Sequence, residues 1–173
     1  QDLAVTDATN NVVYILLNNG SGSYSVSPTS YPVGNSPGAI AVSDFIGREA
    51  DFNGDGITDL AIANTADNTV TILLGNGSGG FTVDPHGPFP VGQGPDAIVV
   101  GDFNNDGKFD VATANINSTV SVLLGNGDGS FQSSVNSPGP AAVFIGMAVT
   151  QFPGDTFPGL IAVGASKSNQ NQS

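Results

Sequence analysis

Short apolar runs alternate with dense clusters of turn formers along this chain, and the alternation itself repeats. Asp2-Leu3-Ala4-Val5, Asp59-Leu60-Ala61-Ile62, Asp110-Val111-Ala112-Thr113 and Gly159-Leu160-Ile161-Ala162 open four equivalent segments. In the first three an alternating stretch follows, Val13 to Leu17, Val70 to Leu74 and Val120 to Leu124. Each leads to Asn-Gly (Asn19-Gly20, Asn76-Gly77, Asn126-Gly127), and an aromatic stands four residues past the glycine, at Tyr24, Phe81 and Phe131. Asn-Gly between two apolar runs predicts a hairpin, because both residues tolerate positive φ. Further on, Tyr31-Pro32-Val33-Gly34 matches Phe89-Pro90-Val91-Gly92. Proline there predicts an edge strand, where its missing N–H costs no ladder bond. Ala39-Ile40-Ala41-Val42 and Ala97-Ile98-Val99-Val100 are near-continuous apolar runs and predict a strand buried on both faces.

Each unit therefore holds one buried strand, two alternating strands and one proline-marked edge. A four-stranded sheet recurring about every 50 residues predicts an all-β fold of β-propeller blades. A β-solenoid is the alternative, but its coils are usually shorter. With strands labelled A to D from the buried one outward, the chain reads BCD, ABCD, ABCD, AB. That is thirteen strands: an incomplete propeller of about three blades plus a partial one. The partial first blade and the next inner strand take 1–45, the second blade 46–103 and the third 104–152. A terminal partial blade with a polar tail takes 153–173. Closed propellers usually have about 4–8 four-stranded blades. The chain therefore reads either as a piece of a longer propeller or as a unit completed by other copies of itself. In the second case the terminal A–B hairpin would complete the next copy's first blade, giving a filament if the ring does not close.

Composition agrees with this pattern. There are 24 glycines and 11 prolines, and the 39% hydrophobic residues suffice for a core. No apolar run is long enough to cross a bilayer. The chain opens within a repeat and shows no signal peptide, so it reads as a mature or trimmed product. It has no cysteine, hence no disulfide framework and no thiolate metal site. Fifteen acids face three basic residues (Arg48, Lys108, Lys167), for a net charge of −12. That balance argues against nucleic acid or an anionic membrane as partner.

The aspartates cluster. Asp51-Phe52-Asn53-Gly54-Asp55-Gly56-Ile57-Thr58-Asp59 and Asp102-Phe103-Asn104-Asn105-Asp106-Gly107-Lys108-Phe109-Asp110 both read D-x-N-x-D-G-x-x-D. Oxygens of Asp51, Asn53, Asp55 and Asp59, with the Ile57 carbonyl, form one predicted cation site. Asp102, Asn104, Asp106 and Asp110, with the Lys108 carbonyl, form the other. Gly56 and Gly107 permit the sharp bend, as in the first half of an EF-hand loop. All-oxygen donors favour Ca²⁺ over zinc or copper, and Mg²⁺ avoids all-protein cages. Two bound ions add +4 and bring −12 to −8. A metal-free turn rich in Asx residues is the alternative, and it would leave three aspartates within nine residues repelling one another. The last unit keeps only Asp155 of Gln151 to Gly159, and Asp2 matches position 9 of a loop whose earlier part is absent, so neither predicts tight metal binding.

These loops and strands resemble the FG-GAP/VCBS-like repeats of bacterial secreted proteins, which are related to the calcium-binding blades of integrin α-subunit propellers. The matching stretches are Asp51 to Asn64 with Thr69 to Phe81, and Asp102 to Asn115 with Thr119 to Phe131. The resemblance implies a β-propeller, an extracellular location and Ca²⁺ at the two intact loops. The departures are the degenerate last loop and a seven-residue insertion, Ile46 to Phe52, which repeats the Asp44-Phe45 pair.

No residue pattern suggests catalysis. His86 is the only histidine and reads as a solvated turn residue; Glu49 beside Arg48 reads as a surface pair. No carboxylates outside the metal loops form an acid/base arrangement. Asn19, Asn76 and Asn117 lie in N-x-S/T sequences, and the turn already explains the first two. The tail from Ser166 to Ser173 reads as a linker. Three roles follow, in order: an extracellular structural or adhesive module, a lectin, and an accessory domain of a larger secreted protein. An exposed Tyr or Phe beside polar loops would favour the second. Partners accordingly are other copies, the rest of a longer propeller, or an extracellular protein or glycan.

Overall fold

The computed structural model describes residues 1–42, 47, 49–139, 142–150 and 159–166, and every element among them is a β-strand. The first sheet orders β1 (Leu3–Asp7), β2 (Val12–Asn18) and β3 (Tyr24–Pro32). The second orders β4 (Pro37–Ala41), β5 (Leu60–Asn64), β6 (Thr69–Gly75) and β7 (Phe81–Val83), with β8 (Phe89–Pro90) also pairing β6. The third orders β9 (Pro95–Gly101), β10 (Asp110–Asn115), β11 (Thr119–Leu123) and β12 (Val135–Pro138). Strands β13 (Ala142–Thr150) and β14 (Gly159–Ser166) form a two-stranded sheet. All pairings are antiparallel, and the sheets pack side by side as a partial propeller.

The strands thus follow the BCD, ABCD, ABCD, AB order, with one difference. The outer strand of the second blade is broken between Val83 and Phe89, which makes fourteen strands instead of thirteen. The break falls on Asp84-Pro85-His86-Gly87-Pro88, where two prolines cannot donate to β6. Equivalent strands keep equivalent register. Leu60 faces Leu73 and Asn64 faces Thr69 in the second blade; Val111 faces Leu123 and Asn115 faces Thr119 in the third.

Burial departs from the expected pattern. The strands buried throughout are the second ones, β5 and β10; inner strand β9 is largely buried as expected, at Ala97, Ile98 and Val100, whereas inner strand β4 is only partly covered. An inner strand is a sheet edge with one hydrogen-bonded neighbour, while the second strand has neighbours on both edges and a blade on each face. The Asn-Gly hairpins also differ in detail. Asn76 N–H donates to Gly80 C=O (3.0 Å), and Asn76 Oδ1 accepts Ser78 N–H (2.9 Å) and Gly80 N–H (3.0 Å). The left-handed φ values fall on the glycines, and Asn76 serves as the cap of a longer loop.

Two apolar seams join the first three blades. Val13, Ile15 and Tyr31 of the first blade pack on Leu60, Ile62 and Leu73 of the second. Phe52, Val70, Ile72 and Phe89 of the second pack with Val111 and Leu123 of the third. The insertion before the first aspartate loop rejoins the sheet at Ala50, whose N–H donates to Val42 C=O (2.9 Å) and whose C=O accepts from Asp59 N–H (2.7 Å). Asp44, Phe45, Ile46 and Arg48, the last loop from Gln151 to Pro158 and the tail from Lys167 lie outside the described residues.

Candidate metal centre

The two D-x-N-x-D-G-x-x-D loops connect inner to second strand in the second and third blades, and they fold alike. Asp51 turns its carboxylate into its own loop: Oδ1 accepts the N–H groups of Gly54 (2.7 Å) and Asp55 (3.1 Å), and Oδ2 accepts that of Gly56 (2.9 Å). Asp102 does the same with Asp106 (3.0 Å) and Gly107 (2.9 Å). Asn53 Oδ1 accepts Asp55 N–H, and Asn104 Oδ1 accepts Asp106 N–H, both at 3.1 Å. Gly56 and Gly107 take φ of +79° and +85°, the left-handed bend that the spacing predicts.

Position 9 is the anchor of each loop. Asp59 and Asp110 are fully buried. Asp59 Oδ2 accepts Phe52 N–H and its Oδ1 accepts Gly75 N–H, each at 2.8 Å, so one carboxylate ties the loop's start to the end of β6. Asp110 repeats this with Phe103 and Gly125 N–H, again at 2.8 Å. Asp2, alone in the first blade, keeps half of it by accepting Asn18 N–H (2.8 Å). Burial pushes the Asp59 carboxyl up to about 6; two N–H donors oppose this, and the charges of Asp55 and Asp51 add to it. Asp110 is raised for the same reason, with Asp106 and Asp102 as the like charges. Asp106 is held below the usual carboxylate range, first by the Lys108 N–H.

Each loop therefore brings its two aspartates and asparagine round to one fold of backbone beside a buried third aspartate. Among the described residues, no group of three or more His, Cys, Asp or Glu side chains is gathered as a ready metal cage. Asp55 instead rests on Ile57 N–H (2.8 Å) and the Asn53 amide (2.9 Å). The donor chemistry fits a hard cation all the same. Every side-chain donor is an oxygen, no lysine or arginine pairs with Asp51 or Asp59 among the described residues, and burial, with the nearby Asp55 and Asp51 charges adding to it, raises Asp59 in a way a bound cation would relieve.

Outside the loops, the structure adds residues the sequence reading missed. His86 is a half-exposed turn residue, but its Nδ1 lies 2.8 Å from Oδ1 of the fully buried Asp84, which also accepts His86 backbone N–H at 2.8 Å. No motif in the sequence marks Asp84. Glu49 accepts the Thr58 hydroxyl, while its expected partner Arg48 lies outside the described residues. Asn117 is exposed at a hairpin tip and accepts the Thr119 hydroxyl (2.7 Å). Beside the first blade, a cleft of about 710 Å³ is lined by Asp2, Tyr24, Glu49, Thr58, Asn76 and Phe81, with Tyr24 42% exposed.

Four-stranded sheets that repeat in register around twin aspartate loops define the chain as a β-propeller-like repeat module. The FG-GAP-like repeat model matches residues 51–113 and again 102–161, which together exceed half of the chain, and the chain belongs to that family. This repeat is a structural and adhesion fold. No curated protein matches the chain. Among solved structures, a chain of the Photorhabdus luminescens Tc holotoxin pore is similar over 82% of this chain, at 19% identity and a TM-score of 0.45. The match spans 6% of that toxin chain. No helix among the described residues is long and apolar enough to cross a membrane.

Proposed function

We propose that this is a calcium-stabilised structural or adhesive propeller module that works outside the cell as part of a larger assembly of blades. The observation that carries the reading is the pair of loops with the same hydrogen-bond pattern, each with a buried aspartate at position 9 and like charges around it. Asp51, Asn53, Asp55, Asp59 and the Ile57 carbonyl hold one ion; Asp102, Asn104, Asp106, Asp110 and the Lys108 carbonyl hold the other. Calcium supplies charge neutralisation and a rigid tie between inner and second strands. Extracellular modules bind it with Kd of about 10⁻⁴ to 10⁻³ M, which suits millimolar surroundings. Further strands, from the same or another polypeptide, complete the first sheet at the free edge of β1, beside an apolar cavity of about 380 Å³ that Leu3, Ile15, Ile40, Val42 and Phe81 line between the first and second blades.

Calorimetric titration of metal-free protein with calcium chloride tests this. We expect two sites per chain and, at about tenfold excess over Kd, roughly 1.4 kcal/mol of added stability per site. Superimposable melting curves with and without calcium would sink the reading.

A second reading has one observation in its favour. The cleft at the first blade sets the half-exposed Tyr24 ring beside the carboxylates of Asp2 and Glu49 and the amide of Asn76, chemistry suited to stacking and hydrogen-bonding a sugar.

A further inference from the structure

We infer that Phe52 couples the cation of the 51–59 loop to the packing of the second blade on the third, so that filling this loop locks a blade seam; the inference rests on the calcium reading above. Phe52 lies between two proposed ligands, Asp51 and Asn53, and is itself only 2% exposed. Its three parts face three ways. Its N–H donates to the Asp59 carboxylate (2.8 Å), inside its own loop. Its C=O accepts the N–H of Gly129 (2.9 Å), from the hairpin loop between β11 and β12 of the next blade. Its ring lies 5.5 Å from Phe131 and 6.3 Å from Phe109, centroid to centroid, and Phe131 in turn packs on Phe89 at 4.8 Å.

Gly129 is a fixed counterpart. It holds φ of +89°, and a Cβ there would come within 2.5 Å of Asp84 Oδ2. That oxygen is buried without a hydrogen-bond partner, and its carboxylate is pinned on the other side by His86. Gly129 thus sits between the Phe52 carbonyl and the Asp84 carboxylate, both from the second blade. The neighbouring Gly127 carbonyl faces Gly54 of the same aspartate loop, 3.3 Å from where a Cβ would stand. Any ion that draws Asp51, Asn53 and Asp59 together must set the two peptide units that flank Phe52, one bonded to Asp59 and the other to Gly129. By linkage, the seam must favour the ion as much as the ion favours the seam.

Position 2 of the other loop lacks these contacts among the described residues, although that loop reaches the same seam through Phe109. Phe103 makes the same N–H bond to Asp110, but it is only half-buried and pairs with no aromatic ring among the described residues. The two sites should therefore respond differently to damage at the seam.

Asp102→Asn leaves the 51–59 loop to titrate alone, and Asp51→Asn leaves the 102–110 loop. Phe131→Leu is added to each, and calcium affinity is read by calorimetry while amide exchange is followed at Gly129. We expect Phe131→Leu to weaken the 51–59 loop about fivefold and to change the 102–110 loop less than twofold, although Phe131 belongs to the latter's own blade. Calcium should slow Gly129 exchange when only the 51–59 loop is intact and leave it unchanged when only the other is. Equal weakening of both loops, or Gly129 exchange indifferent to calcium in a variant that binds it at 51–59, overturns the coupling. If the 51–59 loop takes up no calcium at all, the cation reading falls first and the coupling with it.

Discussion

The second and third blades are near copies, yet the end of the second strand sets their seams apart. Both end their second strand in a fully buried asparagine, Asn64 or Asn115, under the chain entering from the previous blade. Asn115 is fully engaged: its amide donates to Thr119 Oγ1 (2.9 Å) and Ser121 Oγ (2.7 Å), and its Oδ1 accepts the Thr113 hydroxyl (2.9 Å). Asn64 keeps both donor contacts, to Thr69 and Thr71, but Ile62 stands where Thr113 would, and Asn64 Oδ1 has no partner. Ile62 is fully buried against Val13 and Ile15 of the first blade. One seam thus gives up a hydrogen bond to gain hydrocarbon packing. A repeat conserves its frame while each seam is tuned by the neighbour it meets.

The strongest way to break the likeness is to remove the anchor aspartate of either loop. Asp59→Ala and Asp110→Ala each strand one buried and one part-buried N–H group, Phe52 with Gly75 or Gly125 with Phe103. An unsatisfied buried donor costs on the order of 1–3 kcal/mol, so each variant should lose about 3 kcal/mol in urea unfolding with calcium present. A loss much larger for Asp59→Ala than for Asp110→Ala would show that the first loop also holds a seam. Losses under about 0.5 kcal/mol would remove position 9 as an anchor.

A smaller effect separates the metal-free from the loaded state. Asp59 is raised to about 6 in the fold, so between about pH 4 and 6 the unfolded chain ionises first. The folded state then binds more protons, and stability falls as pH rises through that window. The direction is opposite for Asp7, Asp67, Asp106 and Asp128, whose lowered values place their losses below about pH 4. Metal-free protein should therefore lose on the order of 2 kcal/mol of urea stability from pH 4 to pH 6. Millimolar calcium should flatten the curve, because the ion takes the place of the proton. A stability that climbs across this window without metal would contradict the burial of Asp59.

What the sequence made legible was local. The D-x-N-x-D-G-x-x-D loops, the Asn-Gly hairpins and the proline edges each bind residues within one turn of chain, so spacing alone placed them. The strand order followed from their repetition. The seams were not legible. Phe52 meets Gly129, and Asp84 meets the same glycine, across a large separation in sequence, and nothing in either segment names the other. The most buried strand was also misplaced, because periodicity reports which residues are apolar and not how many neighbours a strand has.

The finest test returns to Ile62 and Thr113. Thr113→Val removes the hydroxyl at nearly constant volume and leaves Asn115 Oδ1 in the condition that Asn64 Oδ1 already tolerates. The cost should be about 1 kcal/mol, the net worth of one buried hydrogen bond with its acceptor left unmade. Ile62→Thr runs the exchange backwards. It offers Asn64 Oδ1 a donor worth about 1 kcal/mol, but it removes buried hydrocarbon worth about as much from the seam with Val13 and Ile15. Its net effect should lie within about 0.5 kcal/mol of zero, so the two swaps are not mirror images. Equal and opposite changes in urea midpoint would mean that the asparagine network, and not the neighbouring blade, decides which residue each position takes.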